Sequence, residues 1–437
     1  MTADEPQPRA DGPRAPHAGE LTATLPGSAL PPGGLTRDEV MTRLRAARKN
    51  DVAWREGRLH GFVYFAGDDV CAVATEAIRE YYFENILAGR AFPSMVQLER
   101  EVLAIAAELL HAPAAAGVTT SGGTESNLLA VWTAICAARA RGAAEPFELI
   151  VPYSAHPSFT KAARYFGLRE IRIPSAEDYT VDTAEARRAV TCHTVLIVGS
   201  APAYSHGVVD AIGELAAIAL DHDLPLHVDS CVGGFVLPFV ERLGRPVPAF
   251  DFRVPGVTSV SADVHKHGYA PRALSVLLHR DEETRRLGST QFDRWPNGHY
   301  FTPGITGTRP GAVLAGAWAV LNYLGEAGFL RITAEVMAIT DRFRQGITAS
   351  PDLFIVGEPV ANKFAYSSKT LDVAAIAEGL NQRGWFAGLQ ADPPAINMHA
   401  QKHHGPIVDR YLTDLSQIVE GVRSGLITSH GRQAAYN

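Results

Sequence analysis

SVSADVHKHGYAPR, residues 259–272, sets Lys266 between a β-type run (VTSVSA, 257–262) and a Gly-Tyr-Ala-Pro turn (268–271); Asp229, in His227-Val228-Asp229, lies 37 residues before that lysine. A side chain leaving a strand end at such a turn can project into a cleft. A lysine amine can form an imine with an aldehyde, and a buried aspartate can keep a pyridine nitrogen protonated so that the ring accepts electrons. Lys266 and Asp229 suit these two roles, which are those a pyridoxal 5'-phosphate site needs. The chain has six lysines, at 49, 161, 266, 363, 369 and 402, and the other five are expected in polar or helical surroundings. Asp229 alone reads equally well as a cap for the next helix.

Outward from this pair the chain alternates short β-branched runs with helical patterns. ELIVP (148–152), TVLIVGS (194–200), LPLHVDS (224–230), VTSVSA (257–262) and LSVLLHR (274–280) are the expected strands. Such alternation implies an α/β fold, a largely parallel sheet covered by helices on both faces. Upstream, Thr36 and Glu39 form a capping-box pattern for a helix to about Lys49. Further helices are expected at Asp69 to Leu87 and Met95 to Leu110, so that 35–110 reads as a helical arm. From about Gly325 a smaller α+β unit is expected, with strands near LFIVG, NKFAYSS and AINMHA and helices at Leu371 to Arg383 and Pro406 to Arg423.

At 437 residues the chain can bury a large core. A net charge of -7 and a pI near 6.1 exclude a general nucleic-acid or anionic-membrane surface, which would reward clustered Lys and Arg. Cys71, Cys136, Cys192 and Cys231 are widely spaced, which suits free thiols in a reducing compartment. Residues 1–34, rich in Pro, Ala and Gly, read as a disordered tail. The longest apolar stretches fall short of the ~20 residues of a membrane helix, so no integral membrane segment and a cytoplasmic location are expected.

Three further places could carry chemistry. Thr119 to Asn127 (TTSGGTESN) precedes an apolar helical run, so its glycines and hydroxyls sit at a helix N-terminus, where free amides favour a phosphate. Alone it reads as a helix cap with a flexible entry turn. His156 follows an expected strand, where its flat ring could stack on a pyridine. His265 and His267 alternate along a segment read as extended, so they point apart and cannot converge on a metal. His403-His404 is expected in a polar, solvated loop.

TSGGTES (120–126), SAPAYSHGVVD (200–210), HVDSCVGGFVLPF (227–239), SADVHKHGYAPR (261–272) and GITGTRPG (304–311) together resemble fold-type-I pyridoxal-phosphate enzymes of the group II decarboxylase superfamily, and within it the sphingosine-1-phosphate lyases. The resemblance spans roughly residues 55 to 425. It implies a cofactor-binding large domain at 111–325 with a mostly parallel seven-stranded sheet, and a small C-terminal α+β domain at 326–437. By position, Lys266 would bond the cofactor, Asp229 would pair with the pyridinium, His156 would stack on the ring, and Gly123, Thr124 and His265 would hold the phosphate. It also implies a homodimer with shared active sites, in which Gly307, Thr308 and Tyr64 come from the neighbouring subunit. Tyr64, His265 and a freed Lys266 would be the proton carriers.

Two departures bear on the substrate. Where the lyases carry Asn-Pro-Leu-His-Pro-Asp, this chain has Asn85-Ile86-Leu87-Ala88-Gly89-Arg90, and Arg272 stands in place of a second lysine. Arginine binds phosphate or carboxylate through its planar fork but cannot shuttle protons near neutral pH. Arg90, Arg272 and Arg309 are the expected anion site. The implied activity is carbon–carbon cleavage of a phosphorylated amino alcohol; an amino-acid decarboxylase and a non-catalytic protein on the same scaffold are the alternatives.

Overall fold

The computed structural model describes residues 30–429 apart from Pro32 and Ala115, so the tail expected at 1–34 lies almost wholly outside the described residues. The chain divides into two units, Met1–Val52 and Ala53–Asn437. In the first, α1 (Arg37–Ala47) opens with the expected capping box: the Thr36 N–H donates to Glu39 Oε2 at 2.8 Å and the Glu39 N–H to Thr36 Oγ1 at 3.3 Å.

The second unit begins with α2 (Asp68–Glu80) and α3 (Pro93–Leu109), then β1 (Gly117–Thr120), α4 (Gly123–Ala140), β2 (Glu148–Pro152), α5 (Ser158–Phe166), β3 (Arg169–Ile173), α6 (Thr183–Ala189), β4 (Thr194–Ser200), α7 (Ile212–Asp221), β5 (Leu226–Asp229), α8 (Leu237–Arg242), β6 (Val257–Ala262) and β7 (Ser275–His279). The seven strands form one sheet in the order β1-β7-β6-β5-β4-β2-β3. All but β7 share one direction, since β7 is antiparallel to both its neighbours. Every residue of β2, β4 and β5 is buried, as helices on both faces require. One face packs on α2, α3, α7 and α8, with Val102, Val260, Val276 and Leu314 in one cluster; the other packs on α4 and α5. The expected helical arm therefore divides: α2 and α3 belong to the main core.

The chain continues through α9 (Glu282–Leu287), a hairpin of β8 (Thr290–Phe292) and β9 (Tyr300–Thr302), and α10 (Gly311–Thr348), then β10 (Leu353–Ile355), β11 (Lys363–Ser368), α11 (Val373–Gln382), β12 (Gly388–Ala391), β13 (Pro394–His399) and α12 (Val408–Arg423). β10 to β13 make a second, antiparallel sheet in the order β10-β11-β13-β12. α10 breaks at Gly325 (φ +54°, ψ -178°) and serves both cores, with Val336 and Met337 in the first and Phe343 and Ile347 in the second. By length and composition it could cross a membrane, which the short apolar runs did not suggest; its buried side chains account for that apolarity.

β1, β2, β4, β5 and β6 end on the same edge of the main sheet. That edge carries the candidate site.

Candidate active site

Asp229 ends β5 and is buried. Its Oδ2 accepts from Asn127 Nδ2 at 2.9 Å and its Oδ1 from the Cys231 N–H at 3.1 Å. Asn127, in α4, also donates from Nδ2 to Ser158 Oγ at 2.9 Å, and its Oδ1 accepts from Ser261 Oγ at 2.9 Å. One amide thus ties β5, β6 and the start of α5 together. His227, on β5, lies behind it with Nδ1 2.9 Å from Ser259 Oγ; burial pushes its pKa down to about 4, so the ring is neutral. A carboxylate fixed by donors in a buried site is suited to pair with a pyridinium.

After β6 the chain turns, with the Lys266 N–H donating to the Asp263 carbonyl at 3.1 Å and the Tyr269 N–H to the Lys266 carbonyl at 3.0 Å. This is a turn rather than the extended segment expected, yet it still sends His265 and His267 to different neighbours. Lys266 Nζ lies 3.0 Å from Asp263 Oδ2. Burial disfavours its ammonium, but Asp263, Tyr64 and Cys231 outweigh that and hold the pKa well above the ordinary lysine value. Burial likewise opposes the Asp263 carboxylate, and Lys266, His265 and the Ser275 hydroxyl together hold its pKa below the usual range.

β1 leads through Ser121 and Gly122 into α4, whose first N–H groups have no partner within the helix. A Cβ on Gly123 would lie 2.5 Å from Cys231 Sγ and 2.8 Å from Asp263 Oδ1. Only glycine brings this helix end so near the Lys266 turn. Gly122 (φ +151°) faces His265, whose Cε1 would lie 3.7 Å from a Cβ there. The His265 ring is oriented by a 2.7 Å bond from Nδ1–H to the Leu274 carbonyl. Glu125 pins the loop, its Oε2 accepting from the Ser121 N–H at 2.7 Å and its Oε1 from the Thr306 N–H at 3.1 Å.

His156, four residues beyond β2, accepts the Ser158 N–H at Nδ1 (3.2 Å), so its ring proton sits on Nε2. Burial lowers its pKa more than Asp229 raises it, leaving a flat, neutral ring near Asp229, Lys266 and Asp263.

Other expected residues fall differently. Tyr64 reaches this site within its own chain: its ring centroid lies 5.0 Å from that of His267, and Arg272 Cζ lies 5.3 Å from it on the other contact. That corrects its assignment to a neighbouring subunit. Arg272 bonds only the carbonyls of His265 (3.4 Å) and Phe62, and among the described residues it has no carboxylate partner. Arg309 is not an anion site: it is buried, ion-paired to Glu99 and bonded to the Thr119 carbonyl at 3.0 Å. Arg90 lies in an exposed turn, with no bond to the Lys266 neighbourhood. Gly307 and Thr308 follow Thr306 in the loop pinned by Glu125. Lys363, expected in polar or helical surroundings, is 2% exposed on β11 with Nζ 2.7 Å from Asn397 Oδ1, and burial lowers its pKa to about 7. His404, expected in a solvated loop, is buried with Nε2 3.0 Å from the Leu59 carbonyl.

Asn127, Ser158, Ser261 and His399 were given no role from sequence. Asn127, closing TTSGGTESN just before the apolar helical run of α4, and Ser261, opening SADVHKHGYAPR, left traces as members of those motifs.

A lysine amine, a fixed carboxylate, a flat imidazole and a glycine-lined helix N-terminus converge on one sheet edge, and they fit pyridoxal phosphate. The fold and site define a pyridoxal-phosphate enzyme of fold type I. Residues 37–369 match the pyridoxal-dependent decarboxylase conserved domain, and the chain belongs to that family. It is 37% identical to the sphingosine-1-phosphate lyase of Arabidopsis thaliana over 395 residues, 88% of this chain and 72% of the relative. The solved structure of the Burkholderia pseudomallei sphingosine-1-phosphate lyase matches with a TM-score of 0.88 at 37% identity, covering 94% of this chain and 96% of that one. A probable L-tyrosine/L-aspartate decarboxylase of Methanothermobacter thermautotrophicus is 36% identical over 358 residues, 81% of this chain and 96% of the relative. The protein is a pyridoxal-phosphate-dependent lyase.

Proposed function

We infer that this protein cleaves the C2–C3 bond of a sphingoid base 1-phosphate, giving a fatty aldehyde and phosphoethanolamine. The observation that carries the anionic part of the substrate is Arg272, a cation beside Tyr64 and His265 with no carboxylate partner among the described residues. Kinship to sphingosine-1-phosphate lyases supports the rest.

Pyridoxal phosphate, when bound, supplies an electron sink for the bond that breaks. Lys266 provides the amine that bonds it, and the Asn127-held Asp229 keeps negative charge beside the pyridine nitrogen. His156 would cover the ring, and the amides of Gly123 and Thr124 with His265 would hold the phosphate. Arg272 binds and orients the substrate anion. Tyr64 Oη and Lys266 Nζ are the groups that take a proton from the C3 hydroxyl and return one to C2.

Incubating the holoenzyme with sphinganine 1-phosphate should yield hexadecanal and phosphoethanolamine by mass spectrometry, and Lys266→Ala should yield neither. No product from protein with bound cofactor would sink this reading. The Methanothermobacter relative favours a second one, loss of carboxylate from an amino acid, which release of carbon dioxide from tyrosine or aspartate would reveal. A non-catalytic role is disfavoured by the joint placement of Lys266, Asp229 and His156.

The same reading includes a cytoplasmic homodimer, with Gly307 and Thr308 delivered across its interface. Exposed Tyr82, Phe83, Trp295 and Phe301 are the kind of apolar surface an interface covers. Sedimentation at one chain mass would remove the dimer.

A further inference from the structure

Tyr64 meets two buried histidines that the chemistry above leaves unused. Its Oη lies 3.4 Å from His399 Nδ1, and His399 Nε2 lies 2.9 Å from His267 Nε2. Tyr64 crosses both rings edge-on, at centroid distances of 5.0 Å and 5.1 Å and 85° in each case. The three residues come from the segment before α2, the turn after β6 and the end of β13, so the fold brings them together across 335 residues.

The 2.9 Å contact requires one Nε2 to donate and the other to accept. Proton positions along the row are therefore set together. If Tyr64 O–H donates to His399 Nδ1, then His399 Nε2–H donates to His267 Nε2, and Tyr64 turns lone pairs to the site. If His267 Nε2–H donates to His399, then His399 Nδ1–H donates to the Tyr64 oxygen, and the phenol proton is directed away from His399. Burial keeps both rings neutral, pushing His267 to about 3 and His399 well below the ordinary histidine value; Lys266 faces both rings, and Lys363 and His404 also face His399. Among the described residues His267 Nδ1 is buried with no hydrogen-bond partner, a cost that an apolar ring at 267 would avoid.

We propose that His399 is a positioning residue for the Tyr64 hydroxyl, fixing through its Nδ1 contact where that oxygen sits at the reacting atoms. This rests on the reading that Tyr64 exchanges a proton with the substrate.

An asparagine amide occupies the place of histidine Nδ1 and keeps the bond to Tyr64, whereas leucine removes it. His399→Leu should lower kcat on sphinganine 1-phosphate about a hundredfold with KM within about twofold, while His399→Asn stays within about fivefold of wild type. In a Tyr64→Phe background His399→Leu should cost nothing further. Additive losses there, or equal losses for Asn and Leu, would overturn the pairing. A readout without substrate separates this from failure of the lyase reading: pH titration of the bound cofactor's absorbance beside Lys266. His399→Leu should move its midpoint and His399→Asn should not; a wild-type midpoint in His399→Leu also overturns the proposal.

Discussion

Asn127 Nδ2 donates to Asp229 Oδ2 at 2.9 Å, so α4, whose N-terminal amides would hold the cofactor phosphate, also orients the carboxylate that would pair with the pyridine nitrogen. One helix would thereby position both ends of the bound cofactor.

Asn127→Ala removes that donor and leaves Ser158 Oγ and Ser261 Oγ without their amide partner. An unsatisfied buried group costs about 1–3 kcal/mol, and about 1.4 kcal/mol is tenfold in an equilibrium constant. Cofactor affinity should therefore fall about tenfold or more, measured by titrating the apo-protein with pyridoxal phosphate. An unchanged affinity would mean that the Cys231 N–H alone holds Asp229.

Gly123→Ala should abolish tight cofactor binding while the fold persists. Its Cβ would meet Cys231 Sγ at 2.5 Å and Asp263 Oδ1 at 2.8 Å, so the helix end must retreat from the Lys266 turn. Adding Cys231→Ala removes the nearer obstacle but leaves the carboxylate, so binding should return only in part. Full recovery in the double variant would show that Asp263 can yield.

Arg272 and Arg309 should respond in opposite ways. Arg272→Gln removes an exposed guanidinium that hydrogen-bonds only carbonyls and lies over the Tyr64 ring, so KM for a phosphorylated substrate should rise about tenfold or more with little change in melting temperature. Arg309→Gln leaves the part-buried Glu99 facing Thr119 without its cation; breaking a fully buried pair costs about 3–5 kcal/mol, and this one should cost less. Melting temperature should drop several degrees. A KM effect confined to Arg309→Gln would reverse the two roles.

What the sequence made legible follows from local pattern. β2, β4 and β6 begin and end where their β-branched and small-residue runs do, because a strand covered on both faces buries nearly every position along its length. β1 and β3 escaped: GVTT is short and REIRI carries charge, as edge strands can. That Lys266, Asp229, His156 and Gly123 meet was legible because strand ends and a helix start bring such residues to one sheet edge. Arg309 misled since charge alone does not say which partner neutralises it. Lys363 sits amid KFAYSS, with no local sign that Asn397 and Tyr204 would enclose its amine. Tyr64, His267 and His399 meet only through tertiary packing, which no window of sequence displays.

Buried histidines make acid the protein's weak side. Desolvation pushes His60, His267 and His279 to about 3 and His227 to about 4. An unfolded histidine titrates near 6.5, so below that pH the unfolded chain binds protons that the folded one refuses. Their stabilising effect is complete above pH 6.5 and is lost as pH falls towards 3 to 4, at about 1.4 kcal/mol per pH unit for each. Asp210 works the other way, since burial raises it to about 7 and the folded chain takes its proton first, but it is one group against the four histidines named and His399, His403 and His404 besides. The urea midpoint of the holoenzyme should fall clearly between pH 7.5 and 5.5. His279 Nδ1 has no hydrogen-bond partner, so His279→Gln should shed one proton's share of that slope. A midpoint that holds steady across this range would mean that these rings open to solvent in the folded state.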